Sequence, residues 1–457
     1  MNKILLKNLA TIFTFDNKDR ILESQDILIE DERIYCIKKN IEVQENCTVI
    51  NCEGLIAMPG FVNTHHHLYQ TLFRGIKEVQ EKPLFPWLVG LYEFWKHIDE
   101  EAVYYGAMVG FSELLRTGCT TTTDHHYVFP QGSSKFLIDE QIKAAKNIGI
   151  RFHATRGSMS RGKKDGGLPP NEVVQNEEEI IIDSERVIKK YHDKSRFAMT
   201  RIALAPCSPF SVSKKAMSDA RNLADKYGVM LHTHLAETFD EEDFCKEVYG
   251  TRPAELMEEV GWIGKDVWFA HGIHLNDEDI NRLKGAGIAH CPSSNMKLSS
   301  GICRTTELVK MGVPISIAVD GSASNDGSNM WEEIRRAYLL NHLKYANDGL
   351  NAYDILKIAT RGGAEVIGRD DIGRLEENMA ADIILLNLND VAYSGCHDVA
   401  SAIVNCGNTS MVEKTILNGK VVVNRGIICT VNVEDIIMNA NKISREIVMK
   451  ERIKNIN

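Results

Sequence analysis

The chain has 457 residues, 44% hydrophobic, 25% charged and 7% aromatic, ordinary globular usage for one large domain plus an appendage. Lys+Arg total 53 against 63 Asp+Glu, a formal charge of −10 that argues against a basic face for nucleic acid. Eighteen apolar residues never run together, MNKILLKNLATIFTF lacks a secretory signature, and eleven cysteines without a CxxC pair suggest no disulfide framework. These features lead us to expect a soluble chain of the reducing cytoplasm, with no membrane partner.

Residues 1–58 alternate apolar and polar residues in short runs, ILLKNLATIFTF, DILIEDERIYCI and CTVINCEGLIAM, the pattern of small antiparallel strands. From Pro59 the rhythm changes to strand followed by helix. The run before His65, with GCTTTTD, IRFHAT, RIALAPC, VMLHTH, VWFAHG, GIAHCPS and ISIAVD, makes eight candidate strands. Amphipathic stretches such as VSKKAMSDARNLADKYG alternate with them, which predicts parallel βα units. His65 and Asp320 lie 255 residues apart, close to the ~250 of a (β/α)8 barrel. After about residue 370 strands return as ADIILLNL and MVEKTILNGKVVVNRGI, the second carrying an Asn418-Gly419 hairpin signal. The expected architecture is α/β. A TIM barrel spans 59–369, a small β-sandwich is paired from 1–58 and 370–432, and a C-terminal helix covers 433–457.

The chemistry-bearing residues fall at predicted strand ends, which converge on one face of such a barrel. His65 and His67 in PGFVNTHHH are two apart, so both imidazoles can reach one cation, while His66 points the other way. His234 in LHTHLAET closes the fifth strand, with Glu237 three residues later. Glu237 alone reads equally as a helix N-terminal carboxylate favoured by the dipole. His232 reads as a packed histidine deeper in the strand. His271 ends the sixth strand and Asp320 the eighth, where a carboxylate can serve as ligand and as base toward water. Each residue alone has a bland explanation; together and in order they point to a hydrolytic metal site.

PGFVNTHHH, LHTHLAET, FAHGIHL, HCPSSN and AVDGSASND resemble the signature of the amidohydrolase superfamily, in its aminohydrolase (deaminase) branch. The similarity covers nearly the whole chain, including IGRLEENMAADIILLNL in the tail. It implies a distorted (β/α)8 barrel with a β-sandwich and one divalent metal ion per chain, zinc or iron. By position, His65, His67, His234 and Asp320 resemble the metal ligands, His271 the histidine that orients water or substrate, and Glu237 the proton shuttle. The fourth-strand phrase LAPCSPF has no lysine, which disfavours a carboxylated-lysine two-metal centre. The implied reaction is hydrolytic deamination of an amidine-like ring carbon, with a non-catalytic binding relative as the contrasting reading.

Within the branch, HHHLYQTLFRG, LFPWLVGLYEFW, GCTTTTDHHYVFP, FHATRGSMS and APCSPFS resemble 8-oxoguanine deaminases. Deaminases of isoxanthopterin, guanine and hydroxytriazines are the alternatives. The expected partner is a small heterocyclic substrate, and a symmetric homo-oligomer is anticipated. Gln70 after the first strand could pair with a ring amide, and Arg156 after the third could donate to a ring oxygen. Trp87 and Trp95 could cover a flat ring or be plain core. Cys207 stands where adenosine-type enzymes carry histidine, and reads as lining or packing. Ser324 and Asn325 lie near Asp320, and His125 or His126 are further lining candidates.

Overall fold

The structure, a computed structural model, describes residues 2–43, 45–283, 285–406 and 412–454; the last three positions of the expected terminal helix lie outside this set. Eight strands form the barrel, numbered here in chain order: β1 (Phe61–Asn63), β2 (Cys119–Thr123), β3 (Arg151–Ser158), β4 (Thr200–Pro206), β5 (Met230–Leu235), β6 (Val267–His271), β7 (Gly287–His290) and β8 (Ile315–Ile317). Each pairs in parallel with the next, and helices fill the intervals. The eight candidate strands of the sequence are these eight.

The ladder runs from β1 to β8, and the seam between those two strands is closed at its C-terminal end. His66–His67, just after β1, pair in parallel with Asp320–Gly321, just after β8. The Asp320 amide donates to the His65 carbonyl at 3.1 Å. The Asn63 carboxamide accepts from the Val319 amide at 3.0 Å and donates to Thr122 Oγ1 at 2.9 Å. The segments that complete the barrel therefore also carry three of the expected site residues, His65, His67 and Asp320.

The terminal segments build one extra nine-stranded sheet, with strands between Lys3 and Pro59 and between Ile383 and Ile428. Its central seam pairs Leu55–Pro59 antiparallel with Ile383–Asn387. Alternation along the strands buries Ile4, Leu6, Ile12, Ile27, Ile29, Leu385 and Ile416 in a core separate from that of the barrel. At the predicted hairpin, Asn418 and Gly419 both take left-handed φ, 48° and 73°, as a two-residue turn of this type requires. A Cβ at Gly419 would collide with the Asp31 carbonyl.

The helix Val433–Lys454 packs along the helix Glu100–Arg116. Ser444 Oγ donates to the Leu72 carbonyl at 2.6 Å, and Glu451 Oε2 lies 3.0 Å from His97 Nε2. The terminal helix thus braces both ends of the segment 68–97, which covers the C-terminal mouth of the barrel. No helix among the described residues is long and apolar enough to cross a membrane.

Barrel and sheet are joined by a buried ion pair. Arg151, at the start of β3, donates to Asp382 from Nε at 3.2 Å and from Nη2 at 3.0 Å. Asp382 Oδ1 also accepts from the Asn418 amide at 2.8 Å. Removing one partner leaves the other charge buried, so Arg151→Ala should cost about 3–5 kcal/mol, read by denaturant unfolding. A loss below about 1 kcal/mol would show that the joint is held by apolar packing instead.

Candidate metal centre and active site

His65, His67, His234, His271 and Asp320 meet at the C-terminal mouth, all buried. Strand alternation sends His65 and His67 to one side and His66 to the other, where its Nε2 meets Ser328 Oγ at 3.0 Å. His271 and Asp320 end their strands at φ 75° and 63°, a left-handed turn that side-chain-bearing residues adopt at a cost.

The hydrogen bonds fix the tautomers. His67 Nδ1 lies 2.8 Å from the His125 carbonyl, and His234 Nδ1 lies 2.6 Å from the Cys207 carbonyl. A carbonyl only accepts, so both rings carry hydrogen on Nδ1 and a lone pair on Nε2. His232 Nδ1 likewise faces the Trp268 carbonyl at 2.9 Å, which makes its Nε2 an acceptor. His65 Nδ1, 2.8 Å from that Nε2, must then be a donor, and its own Nε2 has no partner.

Three Nε2 lone pairs therefore converge. His67 and His234 Nε2 stand 3.2 Å apart, and Asp320 Oδ1 lies 3.2 Å from Nε2 of His65 and of His67. Burial keeps the His65 and His234 rings neutral, holding His65 well below the usual histidine range and His234 at about 3. Acceptors facing acceptors in a buried interior need a cation. Three imidazoles and a carboxylate are a donor set that fits a divalent ion such as zinc. Each imidazole is oriented by a bond from its other nitrogen, as metal-binding histidines usually are.

His271 differs from the other three. The Asn295 amide nitrogen sits 3.1 Å from His271 Nδ1, leaving Nε2 to point at Glu237 Oε2 at 3.4 Å. Burial lowers the His271 pKa to about 4, so this ring is neutral. Glu237 is also buried. Burial first, then the charges of Asp320 and Glu241, raise its carboxyl well above the ordinary range and so favour its protonated form.

A small, tightly lined cavity opens above this cluster. Gln70, Trp87, Cys207, Glu237, His271, Asp320 and Ser324 line it. Both polar atoms of the Gln70 carboxamide are buried without a partner. That carboxamide rests on Gly321, where a Cβ would strike Gln70 Oε1. Ser324 Oγ lies 2.9 Å from the Gly321 carbonyl and 3.5 Å from Asp320 Oδ2. Burial pushes the Cys207 thiol up to about 12, so it presents no thiolate.

Arg156 requires a correction, because the structure does not bring it to the cavity. It shares strand parity with Phe152 and Ala154, so it faces the surrounding helices. There Nε donates to Asp183 at 2.6 Å, Nη2 donates to Gln175 at 2.9 Å, and the guanidinium stacks on Phe129. Trp95 is buried against Tyr69, Trp87 and Tyr92 and lies outside the cavity lining. Asn325 turns away, its side chain donating to the Val319 carbonyl. His125 faces the cluster, its ring 4.7 Å from that of His234, whereas His126 packs on Tyr69 and Phe129. Neither of these two histidines lines the cavity.

Sequence reasoning did not single out Tyr127, Tyr92, Phe210, Leu84, Leu88 or Leu298, all of which line the cavity. For Tyr127 a signal existed, since it is two residues from His125. The role of His232 in orienting His65 was foreshadowed only by its matching parity with His234.

An amidohydrolase family model matches residues 56–422. The chain is 46% identical over 410 residues to the 8-oxoguanine deaminase of Pseudomonas aeruginosa, covering 89% of this chain and 90% of that one. It is 33% identical over 473 residues to an isoxanthopterin deaminase from an unknown prokaryotic organism, covering 97% of each chain. The crystal structure of an atrazine chlorohydrolase from Arthrobacter aurescens TC1, complexed with zinc, superposes with a TM-score of 0.93 at 32% identity, over 96% of this chain and 100% of that one. By domain match, near-full-length identity and fold together, the chain belongs to the amidohydrolase family.

Proposed function

We propose that the protein hydrolytically deaminates an oxidised purine base, 8-oxoguanine, to urate and ammonia. The observation that carries this reading is the pairing of two opposed groups across one small cavity. On one side stands the convergent set of His65, His67, His234 and Asp320; on the other stands a neutral carboxylic acid, Glu237. One divalent ion per chain, zinc in our reading, would be held by those four residues. When bound, it activates water at neutral pH, lowering a water pKa from ~15.7 toward ~7.

The residues divide the remaining work. Asp320 accepts the proton of the attacking water. Glu237 delivers its proton to the ring nitrogen beside the amino-bearing carbon, and His271 steadies Glu237 and the attacked carbon through Nε2. Oxygen adds to the carbon; the exocyclic C–N bond then breaks as the new hydroxyl becomes C=O and returns its proton to Glu237, and ammonia leaves with the proton gathered by Asp320. Gln70 meets a ring N–H and C=O with its unpartnered carboxamide, while Trp87 covers the flat face and Cys207 and Ser324 pack the edge.

Support for the base comes from the 46% identity to an 8-oxoguanine deaminase. No lysine or arginine lines the cavity among the described residues. The relationship to an isoxanthopterin deaminase makes that pterin the second reading. Guanine and hydroxytriazines follow.

Ammonia release by zinc-loaded protein should be fastest with 8-oxoguanine in a panel including guanine, isoxanthopterin and hydroxyatrazine. A lead of about tenfold in kcat/KM is expected, within what binding differences of a few kcal/mol provide. A different leading ring would overturn the substrate assignment and leave the chemistry intact. Glu237→Gln should retain zinc and lose about 10²–10⁴-fold in kcat, because it stays neutral but has no proton to give. Since the acid form is the active one and its pKa is raised, kcat should fall as pH rises through that pKa, and this limb should vanish in the variant. Gly321→Ala, which displaces Gln70, should raise KM for 8-oxoguanine while zinc content is unchanged; an unaltered KM would remove Gln70 from the ring-binding role.

A further inference from the structure

Glu241 lies one helical turn after Glu237, fully buried, and lines neither the cavity nor the donor cluster. Its two carboxylate oxygens accept from two successive backbone amides, Ala236 at 3.0 Å and Glu237 at 3.1 Å. These amides need an acceptor. β5 ends at Leu235, and Ala236 turns into the left-handed region at φ 52°, which takes residues 236 and 237 out of the barrel ladder. That turn swings Glu237 over the cavity. The Ala236 carbonyl is fastened from the loop after β6, accepting from the His274 amide at 3.0 Å.

The helix Phe239–Tyr249 begins at this point, with Thr238 as its N-terminal cap and Glu241 as its third residue. A glutamate at that position ordinarily bonds back to the amide of its own cap residue. Here it reaches past Thr238 to the two residues before it, and the Thr238 side chain makes no capping bond. The start of the helix is therefore organised around the backbone of Glu237. A buried carboxylate is expensive to desolvate, and two charge-assisted bonds to a strained turn are what it secures here.

We propose that Glu241 is a positioning residue. By holding the 236 and 237 amides together, it fixes the Glu237 carboxyl against His271 Nε2, where the acid must stand to protonate the ring. This inference rests on the general-acid role given to Glu237 above. It assigns Glu241 no contact with substrate or metal, and it separates Glu241 from the other acidic residues at this helix start, Asp240 and Glu242.

The test is a double-mutant cycle in the zinc-loaded full-length protein, with the leading substrate of the panel. Glu241→Gln keeps one acceptor oxygen and loses the other. It should lower kcat about tenfold or more while KM stays within about threefold and bound zinc is unchanged, the split expected when only transition-state alignment is lost. In the Glu237→Gln background the same change should cost nothing further, because Glu241 acts only through Glu237. Glu241→Asp, one methylene shorter and still charged, should fall between the two and serves if Glu241→Gln folds poorly. Wild-type kcat in both variants, or a full multiplicative loss in the Glu237→Gln background, would overturn the proposal. Wild-type turnover by Glu237→Gln alone would instead remove the general-acid reading, so the two failures are separable.

Discussion

Everything at the mouth of this barrel depends on where three imidazoles put their protons. His67 and His234 give their Nδ1 hydrogens to main-chain carbonyls at 2.8 and 2.6 Å, and His65 gives its own to His232 at 2.8 Å. Those acceptors sit just past the ends of β2 and β4 and within β5, so strand register decides the protonation pattern of the site. The price of that pattern is three lone pairs and a carboxylate brought together without donors between them. A cation converts the penalty into an attraction, and the fold thus carries a built-in requirement for one. The same residues close the barrel, since His66–His67 and Asp320–Gly321 supply the pairing between its first and last strands. Forming the fold and forming the site are one event.

Two carboxyl groups then take opposite roles because their surroundings differ. Asp320 lies among imidazoles and the ion they call for, which favours its charge. Glu237 lies in a buried wall with Asp320 and Glu241 nearby, and burial with like charge favours its proton. The proposed base and acid thus lie in contrasting surroundings within a single cavity, the arrangement that addition of water and departure of ammonia require. Identical side-chain chemistry would be useless if both groups shared one environment.

The barrel strands were legible because each is a short apolar run followed by an amphipathic stretch, and the donor cluster because its members sit at strand ends. The limits came where tertiary partners decide. Arg156 was expected to face the cavity from its strand-end position, but period-two alternation places it with Phe152 and Ala154, against Asp183 in a helix remote in sequence. The same alternation, applied to His125, points to Tyr127, and applied to His234, points to His232. Glu241 was hidden among acidic residues that any helix start favours, and only the turn at Ala236 reveals what it holds. The terminal sheet was foreseeable in its strands and its Asn418-Gly419 turn, whereas the Arg151–Asp382 joint links residues 231 positions apart.

Recognition in this cavity, as proposed, has to work without cationic side chains among the described residues. An arginine or lysine would attract any anionic ring oxygen with little regard for the rest of the heterocycle. A buried carboxamide with both ends free behaves otherwise. Gln70 offers one donor edge and one acceptor in fixed geometry, pinned by Gly321 beneath it. A ring presenting the complementary C=O and N–H restores two hydrogen bonds that burial has removed from water. A ring lacking either leaves a polar atom unpaired, at a cost of about 1–3 kcal/mol. In the proposed reading, discrimination would arise from the unmet bonds of the Gln70 carboxamide as much as from new contacts, and it would select for the lactam edge shared by oxidised purines and pterins.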